Sequence, residues 1–133
     1  MPKKDMLQKL TNRESEVMQV IWSSDEALTA NEIFELLGKS ITLYSVQAIV
    51  KSLLSKDIIK VDSFVQSGKT ISRRFAPVLS SDEYAANQYF SLLRDHKRAA
   101  VPLVAELLGD ENIDKDTLEE LEQLIDKKKK EIE

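Results

Sequence analysis

The stretch that decides the fold is ITLYSVQAIVKSLL, residues 41–54. Its apolar residues recur at the i, i+3, i+4, i+7, i+8 spacing that turns one side of a helix toward a core. These residues are Val46, Ile49, Val50, Leu53 and Leu54. The other side of the helix is small, polar or cationic, and the first carboxylate after it is Asp57. In a chain with 23 Asp and Glu residues, such an acid-free face favours a negatively charged partner.

Two helices are predicted upstream of this stretch. Thr11 with Glu14 and Thr29 with Glu32 each have the spacing of a capping box, in which side chains and backbone at a helix start exchange hydrogen bonds. Thr42 is a suitable N-cap for the third helix, which we expect to run to about residue 56. The first three elements of the chain are therefore predicted to be short helices.

The pattern changes after the third helix. IIKVDSFV and KTISRRFAPV are rich in β-branched and aromatic residues, which is typical of strands, and they flank QSGK. Gly68 can supply the positive φ that a hairpin turn requires. Three short helices followed by a β-hairpin is the order of a winged helix-turn-helix domain. From the pattern alone, the alternative is a generic small α+β domain.

The rest of the chain is predicted to be helical. A further capping box at Ser80 opens another helix, Pro102 should kink or restart a helix in the apolar run AAVPLVAELL, and Asp114 is suited to cap the last one. We therefore predict a mainly α protein with a small β-hairpin wing. Residues 1–79 would form the winged helix-turn-helix domain, and residues 80–133 a helical dimerisation domain.

The C-terminal helices have apolar faces but too little chain to build a core of their own easily. We expect these faces to pack against a second subunit, and the alternative is that they fold back on the first domain. The residues predicted at the subunit interface are Tyr89, Leu93, Val101, Leu103, Val104, Leu107, Leu108, Leu118, Leu121, Leu124 and Ile125.

Two elements are candidates for DNA contact: a recognition helix at about residues 42–56 and a basic wing at about residues 58–76. Their side chains can hydrogen-bond base edges or phosphates, touch a thymine methyl group or carry positive charge. The candidate DNA-binding residues are Thr42, Tyr44, Ser45, Gln47, Ala48, Lys51, Ser52, Lys69, Arg73 and Arg74. The alternative explanations are a solvated helix face and ordinary protection of an edge strand by charge.

Composition separates the two parts of the chain. Residues 1–80 hold 11 Lys and Arg against 9 Asp and Glu, whereas residues 81–133 hold 8 against 14. The chain has no cysteine and one histidine, His96, in a polar run, so we expect no metal site, no cofactor and no enzymatic activity. The start MPKKDMLQKL lacks the apolar stretch of a signal peptide, and no segment is long enough to cross a membrane, which favours a cytoplasmic location.

Several stretches of the chain resemble those of a known protein family. They are LTNRESEVMQVIW, LTANEIFELL, SVQAIVKSLLSKDII and the hairpin end RFAP, followed by SSDEYAANQYF and LEELEQLI. Together they resemble the penicillinase-repressor family (BlaI/MecI/CopY) over almost the whole chain, most specifically from Glu16 to Trp22. The resemblance implies a homodimeric winged-helix repressor with an N-terminal DNA-binding domain and a C-terminal helical dimerisation domain.

The sequence departs from the family pattern at three places. Ala48 stands where the family recognition helix has a Thr, and Ser52 and Leu53 replace its Arg-Leu pair, so the operator is expected to differ. The copper-responsive branch has a cysteine-rich tail and this chain has no cysteine, so copper sensing through thiolates is not implied. Glu106-Leu107 stands where the β-lactam-responsive branch is cleaved at an Asn-Phe bond, so induction by cleavage is not implied either.

The hypothesis is a homodimeric repressor that binds double-stranded DNA at a pseudo-palindromic operator, with its two recognition helices in successive major grooves. The alternative is a winged-helix protein-interaction module without sequence-specific DNA binding. A sensor or protease partner that would release the repressor stays open.

Overall fold

The structure, a computed structural model, describes residues 10–133 and divides into two compact units, one reaching to Leu92 and one over Leu93–Glu133. Six helices and two strands form in the described residues. They are α1 (Asn12–Ser23), α2 (Ala30–Leu36), α3 (Leu43–Ser55), β1 (Ile59–Ser67), β2 (Thr70–Pro77), α4 (Ser81–Leu93), α5 (Ala100–Leu108) and α6 (Lys115–Ile132). This order confirms the predicted mainly α fold with a hairpin wing.

The first two helices start at the predicted capping boxes. The Thr11 hydroxyl oxygen accepts a hydrogen bond from the Glu14 N–H at 3.2 Å, and the Glu14 carboxylate accepts one from the Thr11 N–H at 2.9 Å. Thr29 and Glu32 make the same pair of bonds. Each box satisfies two backbone N–H groups that would otherwise lack partners, which fixes where the helix begins.

One apolar core holds the first unit together. It takes in the predicted inner side of α3, on which Val46, Val50 and Leu53 are at most 2% exposed. Burying one such side chain contributes about 1.5–3 kcal/mol, so the core determines which side of α3 faces outward. The buried apolar residues are Val17, Met18, Ile21, Leu28, Ile33, Val46, Val50, Leu53, Ile58, Ile59 and Phe75.

β1 and β2 pair antiparallel in a two-stranded sheet, with Ser67 opposite Thr70 beside the turn. Gly68 in the turn has φ +62°, the left-handed conformation that the sequence predicted there. At the other end of the hairpin, Phe75 exchanges backbone hydrogen bonds of 2.7 and 3.0 Å with Leu28. These bonds join the hairpin to the connection between α1 and α2, so the wing has a fixed base.

Aromatic residues connect α4 to the rest of the first unit. The ring centroid of Tyr84 lies 5.6 Å from that of Trp22, and the Tyr84 hydroxyl accepts a hydrogen bond from the Leu10 N–H at 3.1 Å. The Trp22 indole N–H donates to the Leu79 carbonyl oxygen at 2.9 Å. The first compact unit therefore includes most of α4 and reaches to Leu92.

The second unit contains α5 and α6. Pro102 lies in the first turn of α5, where its missing N–H removes no helical hydrogen bond, so the apolar run restarts a helix there. Asp114 caps α6 by accepting a hydrogen bond of 2.7 Å from the Thr117 N–H. Neither α5 nor α6 contains a buried residue. The second unit therefore has helices with defined ends but no core of its own.

Candidate nucleic-acid interface

The outward side of α3 is open to solvent. Tyr44 is 80% exposed, and Gln47, Ala48 and Lys51 are exposed as well. Because the opposite side of the helix is buried, these four side chains point away from the core. The first turn of α3 contains no acidic residue. The helix thus presents a face that can enter a major groove without repelling phosphates.

Two of the predicted DNA-binding residues order the start of α3. The Thr42 hydroxyl oxygen accepts a hydrogen bond from the Ser45 N–H at 3.0 Å, and the Thr42 hydroxyl donates to Ser45 Oγ at 2.9 Å. Such an N-cap contributes about 1 kcal/mol. The Ser45 hydroxyl keeps its own hydrogen, so it can still donate to a phosphate or a base edge.

A cleft of about 250 Å³ lies between α2, α3 and β2. Asn31 from the first turn of α2, Gln47 from α3 and Arg73 from β2 line its polar edge. All three side chains are exposed, and each carries N–H donors. The helix-turn-helix and the wing therefore share one donor-rich edge.

The three cations of the hairpin do not share one face. Arg73 has its guanidinium carbon 5.3 Å from the centre of the Phe75 ring, and Phe75 belongs to the core. Arg74 projects from the opposite face, since neighbouring residues of a strand alternate. Its Nε is enclosed and makes no hydrogen bond within residues 10–133. Lys69 lies in the turn itself and is exposed, and Arg73 is the cation that borders the cleft next to α3.

A buried ion pair fixes the C-terminal part of α3 to α1. Lys56 Nζ donates to both carboxylate oxygens of Glu14, at 2.8 and 2.9 Å, and the Ser52 hydroxyl donates to Glu14 Oε2 at 2.7 Å. The Glu14 side chain is 5% exposed and that of Lys56 18%. Ser52, which the sequence analysis assigns to DNA, therefore uses its hydroxyl hydrogen inside the domain.

The carboxylate of Glu14 stays charged despite its burial. Burial by itself raises the pKa of this group, but hydrogen bonds from Lys56, from the Thr11 backbone and from Ser52, together with the Lys56 charge, lower the pKa to about 2. Glu14 is therefore ionised throughout the physiological pH range. The contact between α1 and α3 does not change as the pH moves within that range.

Sequence reasoning missed two residues of this region. Glu14 is predicted only as a capping residue, yet it precedes Val17 and Ile21 at the i+3 and i+7 positions of the buried stripe of α1. A carboxylate in an apolar stripe is a signal for a buried partner charge. Asn31 gives no comparable signal, because only the folded chain brings the start of α2 beside β2.

The residues predicted at the subunit interface are open to solvent within their own units. All of them are exposed or half-buried, among them Val101 at 79% and Leu124 at 64% exposure. Tyr89, which lies on α4 in the first unit, is 67% exposed. Large apolar side chains left exposed along a helix of a small protein indicate an interaction site. The structure thus offers an uncovered apolar face on α5 and α6, separate in sequence from the face of α3.

Other chemistry finds little support in the part of the chain that the structure describes. Within it, no group of three or more His, Cys, Asp or Glu side chains is arranged to hold a metal ion. His96 is exposed in the turn between α4 and α5, and its backbone N–H donates to the Leu93 carbonyl oxygen at 2.8 Å. None of the described helices is long and apolar enough to cross a membrane.

Comparison with protein families gives one match. A family model described as penicillinase repressor matches residues 10–127, which is most of the chain. A search of curated proteins found no match. The family match extends over the candidate site and over the uncovered face of α5 and α6.

Distant structural likenesses are found among solved proteins. The structure of GAS PerR-Zn-Zn gives a TM-score of 0.41 at 15% identity, covering 52% of this chain and 44% of that one, so the chain spans less than half of the PerR length. Staphylococcus aureus MepR in complex with DNA gives 0.44 at 18% identity, covering 74% of this chain and 76% of that one. Staphylococcus aureus MarR in complex with salicylate and kanamycin gives 0.45 at 15% identity, covering 92% and 73%.

Proposed function

Because the chain belongs to the penicillinase repressor family, we propose that it is a homodimeric repressor that binds a pseudo-palindromic DNA operator and so blocks transcription. Family membership establishes a winged-helix transcription regulator, and the operator, the dimer and the residue roles are the proposal. One observation carries the DNA-reading part: the acid-free face of α3 and Arg73 of the wing meet at one cleft.

Five side chains in the N-terminal part of α3 have separate roles in this proposal. Gln47 can bond an adenine through both ends of its amide, and Ala48 can touch a thymine methyl group. Lys51 neutralises a phosphate, and the hydroxyls of Tyr44 and Ser45 donate to phosphates. Base contacts from α3 specify the sequence, while the phosphate contacts set its register on the duplex.

Three other predicted residues have different roles in this proposal. Thr42 orders the helix start, and Ser52 holds Glu14, so both position α3 rather than read bases. Arg74 faces away from the cleft that Arg73 borders, so it reaches DNA only through the far side of the wing. Lys69 and Arg73 are the wing cations that we assign to the DNA backbone.

The exposed apolar side chains of α5 and α6 support the dimer in this proposal. Two subunits that bury these faces against each other would present two α3 helices, and a pseudo-palindrome requires these to lie roughly 34 Å apart. Joining two half-site contacts raises the apparent affinity by about 10² to 10⁴ without new contacts. Separation of the subunits would therefore release the operator, which makes this interface the point at which regulation acts.

The test is the salt dependence of binding to the DNA upstream of the chain's own gene, measured by fluorescence anisotropy. A dimer that neutralises several phosphates should lose about 10³ to 10⁵ in affinity between 50 and 200 mM salt. The variant Lys51→Ala/Arg73→Ala should bind more weakly, and the slope of log affinity against log salt should fall by about 0.9 for each phosphate contact removed.

A matched control is Lys115→Ala/Lys127→Ala, which removes two positive charges from α6 and leaves the cleft intact. It should retain the wild-type affinity and slope. Binding that responds weakly to salt, or that loses as much in the control as in the cleft variant, would contradict the proposal. Either result would favour the protein-interaction module instead.

A further inference from the structure

The outer half of the wing carries two large apolar side chains that do not pack against the core. Phe64 is 68% exposed and Ile71 is 66% exposed. Phe64 lies opposite Arg73 across the hairpin, and Ile71 lies two residues from Arg73 along β2. Because cross-strand partners and alternate residues share a face, all three side chains project from the same face of the hairpin.

This face of the wing continues into the candidate DNA surface. Arg73 packs over Phe75 and lines the cleft that Gln47 of α3 also lines. Ile71 is four residues beyond Phe75, and a strand advances about 3.3 Å per residue, so the apolar pair extends about 13 Å past the core. A B-DNA major groove is about 12 Å wide. With α3 in that groove, an extension of this length is sufficient for the outer wing to reach a neighbouring groove.

The charge of the outer wing indicates what covers the apolar pair. Residues 63–74 contain Lys69, Arg73 and Arg74 and no Asp or Glu. On the face of Phe64 and Ile71 the charged side chains of this stretch are Arg73 and, at the turn, Lys69, and an apolar patch with cationic neighbours fits a polyanion that also offers apolar surface. Stacked bases between two phosphate strands meet both conditions, since apolar side chains insert between base steps while cations contact the flanking phosphates.

We propose that Phe64 and Ile71 are a minor-groove wedge that unstacks a base step and bends the operator, an inference that rests on the operator binding proposed above. The backbones of the paired strands lie about 4.8 Å apart, and their side chains add to this width. The whole hairpin is therefore wider than a minor groove of about 6 Å. The side chains of one face enter instead. Arg73 and Lys69 hold the phosphates on either side.

A wedge of this kind reads sequence that α3 does not touch. Unstacking costs least at pyrimidine–purine steps, so operators with such a step under the wing should be preferred. The bend would lie in the range of about 20–90° toward the major groove. Specificity at the outer positions of the operator would then come from DNA deformability, because Phe64 and Ile71 form no hydrogen bonds with base edges.

The test measures bending and affinity together on the duplex that the wild-type chain selects from a random library. Dyes at the two ends report the end-to-end distance by energy transfer. The variant Phe64→Ala/Ile71→Ala should lose more than half of the wild-type bend. Its affinity should change by no more than about tenfold, because the lost contacts and the relieved bending energy offset each other. Its salt slope should be unchanged, because no cation is removed.

Two controls separate the wedge from general damage to the hairpin. Val65→Ala removes apolar surface from the opposite face and should leave the bend unchanged. Phe64→Trp keeps a large apolar side chain and should retain the bend. A double variant that bends DNA as the wild type does would overturn the wedge, as would a wild type that binds without bending. Absence of sequence-specific, salt-dependent binding by the wild type would instead overturn the proposed function.

Discussion

α3 and α6 are both amphipathic helices, and they differ in which side their own unit leaves uncovered. The apolar side of α3 is buried, with Val46 and Leu53 at 0% exposure, and its polar side is open. The apolar side of α6 is open, with Leu124 at 64% and Ile125 at 49% exposure. Amphipathicity alone therefore does not identify the functional side of a helix. Burial within the unit decides it.

The polar sides of the two helices also differ in charge. The open side of α3 carries Lys51 and no carboxylate, which suits DNA. The polar positions of α6 include Glu119, Glu120 and Glu122, which would repel phosphates. The lysines at the end of α6 complement the negative end of the helix dipole.

The largest expected effect comes from placing a charge on the open apolar side of α6. Leu121→Asp would bury a carboxylate in the proposed subunit interface, so the dimer should dissociate and operator affinity should fall by about 10² to 10⁴. Sedimentation equilibrium gives the subunit state, and fluorescence anisotropy gives the affinity.

The matched control for this interface change is Gln123→Asp, which introduces the same carboxylate at an exposed polar position of α6. It should leave both the dimer and the affinity unchanged. If Leu121→Asp remained dimeric with wild-type affinity, the exposed apolar side of α6 would not form the subunit interface. The proposed difference in function between the open sides of α3 and α6 would then be wrong.

The next effect concerns the buried side of α3. Glu14→Gln removes the charge that holds Lys56 and accepts from Ser52, so the free energy of unfolding should fall by about 3 kcal/mol at neutral pH. Urea titration at fixed protein concentration measures it. Glu16→Gln, whose side chain is 50% exposed beside Arg13, should cost less than about 1 kcal/mol.

The pH dependence of the free energy of unfolding is a second test of the ion pair between Glu14 and Lys56. The pKa of Glu14 is lowered from 4.5 to about 2, so its stabilising contribution is present above pH 4.5 and is lost as the pH falls through about 2. The lost stability is about 3 kcal/mol, since one pKa unit is worth about 1.4 kcal/mol. The wild type should lose this amount and Glu14→Gln should not. If the free energy of unfolding changed with pH in the same way in both proteins, the ion pair would not stabilise the contact between α1 and α3.

A smaller effect is expected on the open side of α3. Gln47→Ala should cost about 1–3 kcal/mol on the preferred operator and relax the base preference at one position of each half-site. Lys51→Ala should weaken binding to all sequences alike. Affinities for a set of single-base operator variants distinguish the two. Equal loss across all sequences for Gln47→Ala would mean that this side chain does not read a base.

The smallest effect lies at the C-terminal end of α3. Asp57 has φ +59°, and within residues 10–133 the only other non-glycine residue with positive φ is Lys39, just after α2. Asp57→Gly should stabilise the protein by roughly 0.5 kcal/mol by relieving this conformation. Asp62→Gly, in a strand without positive φ, should destabilise it by a similar amount. Thermal unfolding of both variants measures the difference, and equal shifts would contradict the explanation.

Local signals in the sequence were sufficient to predict most of the first unit. The boxes at Thr11 and Thr29 mark helix starts because their hydrogen bonds join residues three apart, and Gly68 marks the turn because its φ is positive. The inner side of α3 followed from helical periodicity. Each of these features depends on neighbours in sequence.

Features that depend on distant residues could not be predicted in the same way. The Lys56 bond to Glu14 spans 42 positions, and the cleft joins Asn31 to Arg73. The strand period places Arg73 and Arg74 on opposite faces, whereas the sequence prediction assigned both to a basic wing without distinguishing its faces. The end of the first compact unit also depends on a distant contact, between Trp22 and Tyr84.

The most direct test of the central claim is selection of duplexes from a random library by the full-length chain, followed by sequencing of the bound DNA. We expect an enriched pseudo-palindrome, bound by two chains, with two half-sites whose centres are about 10 base pairs or a multiple of that apart. The leucine-to-aspartate change at position 121 should abolish the enrichment. An enriched single half-site bound by one chain, or no enrichment at all, would contradict the account.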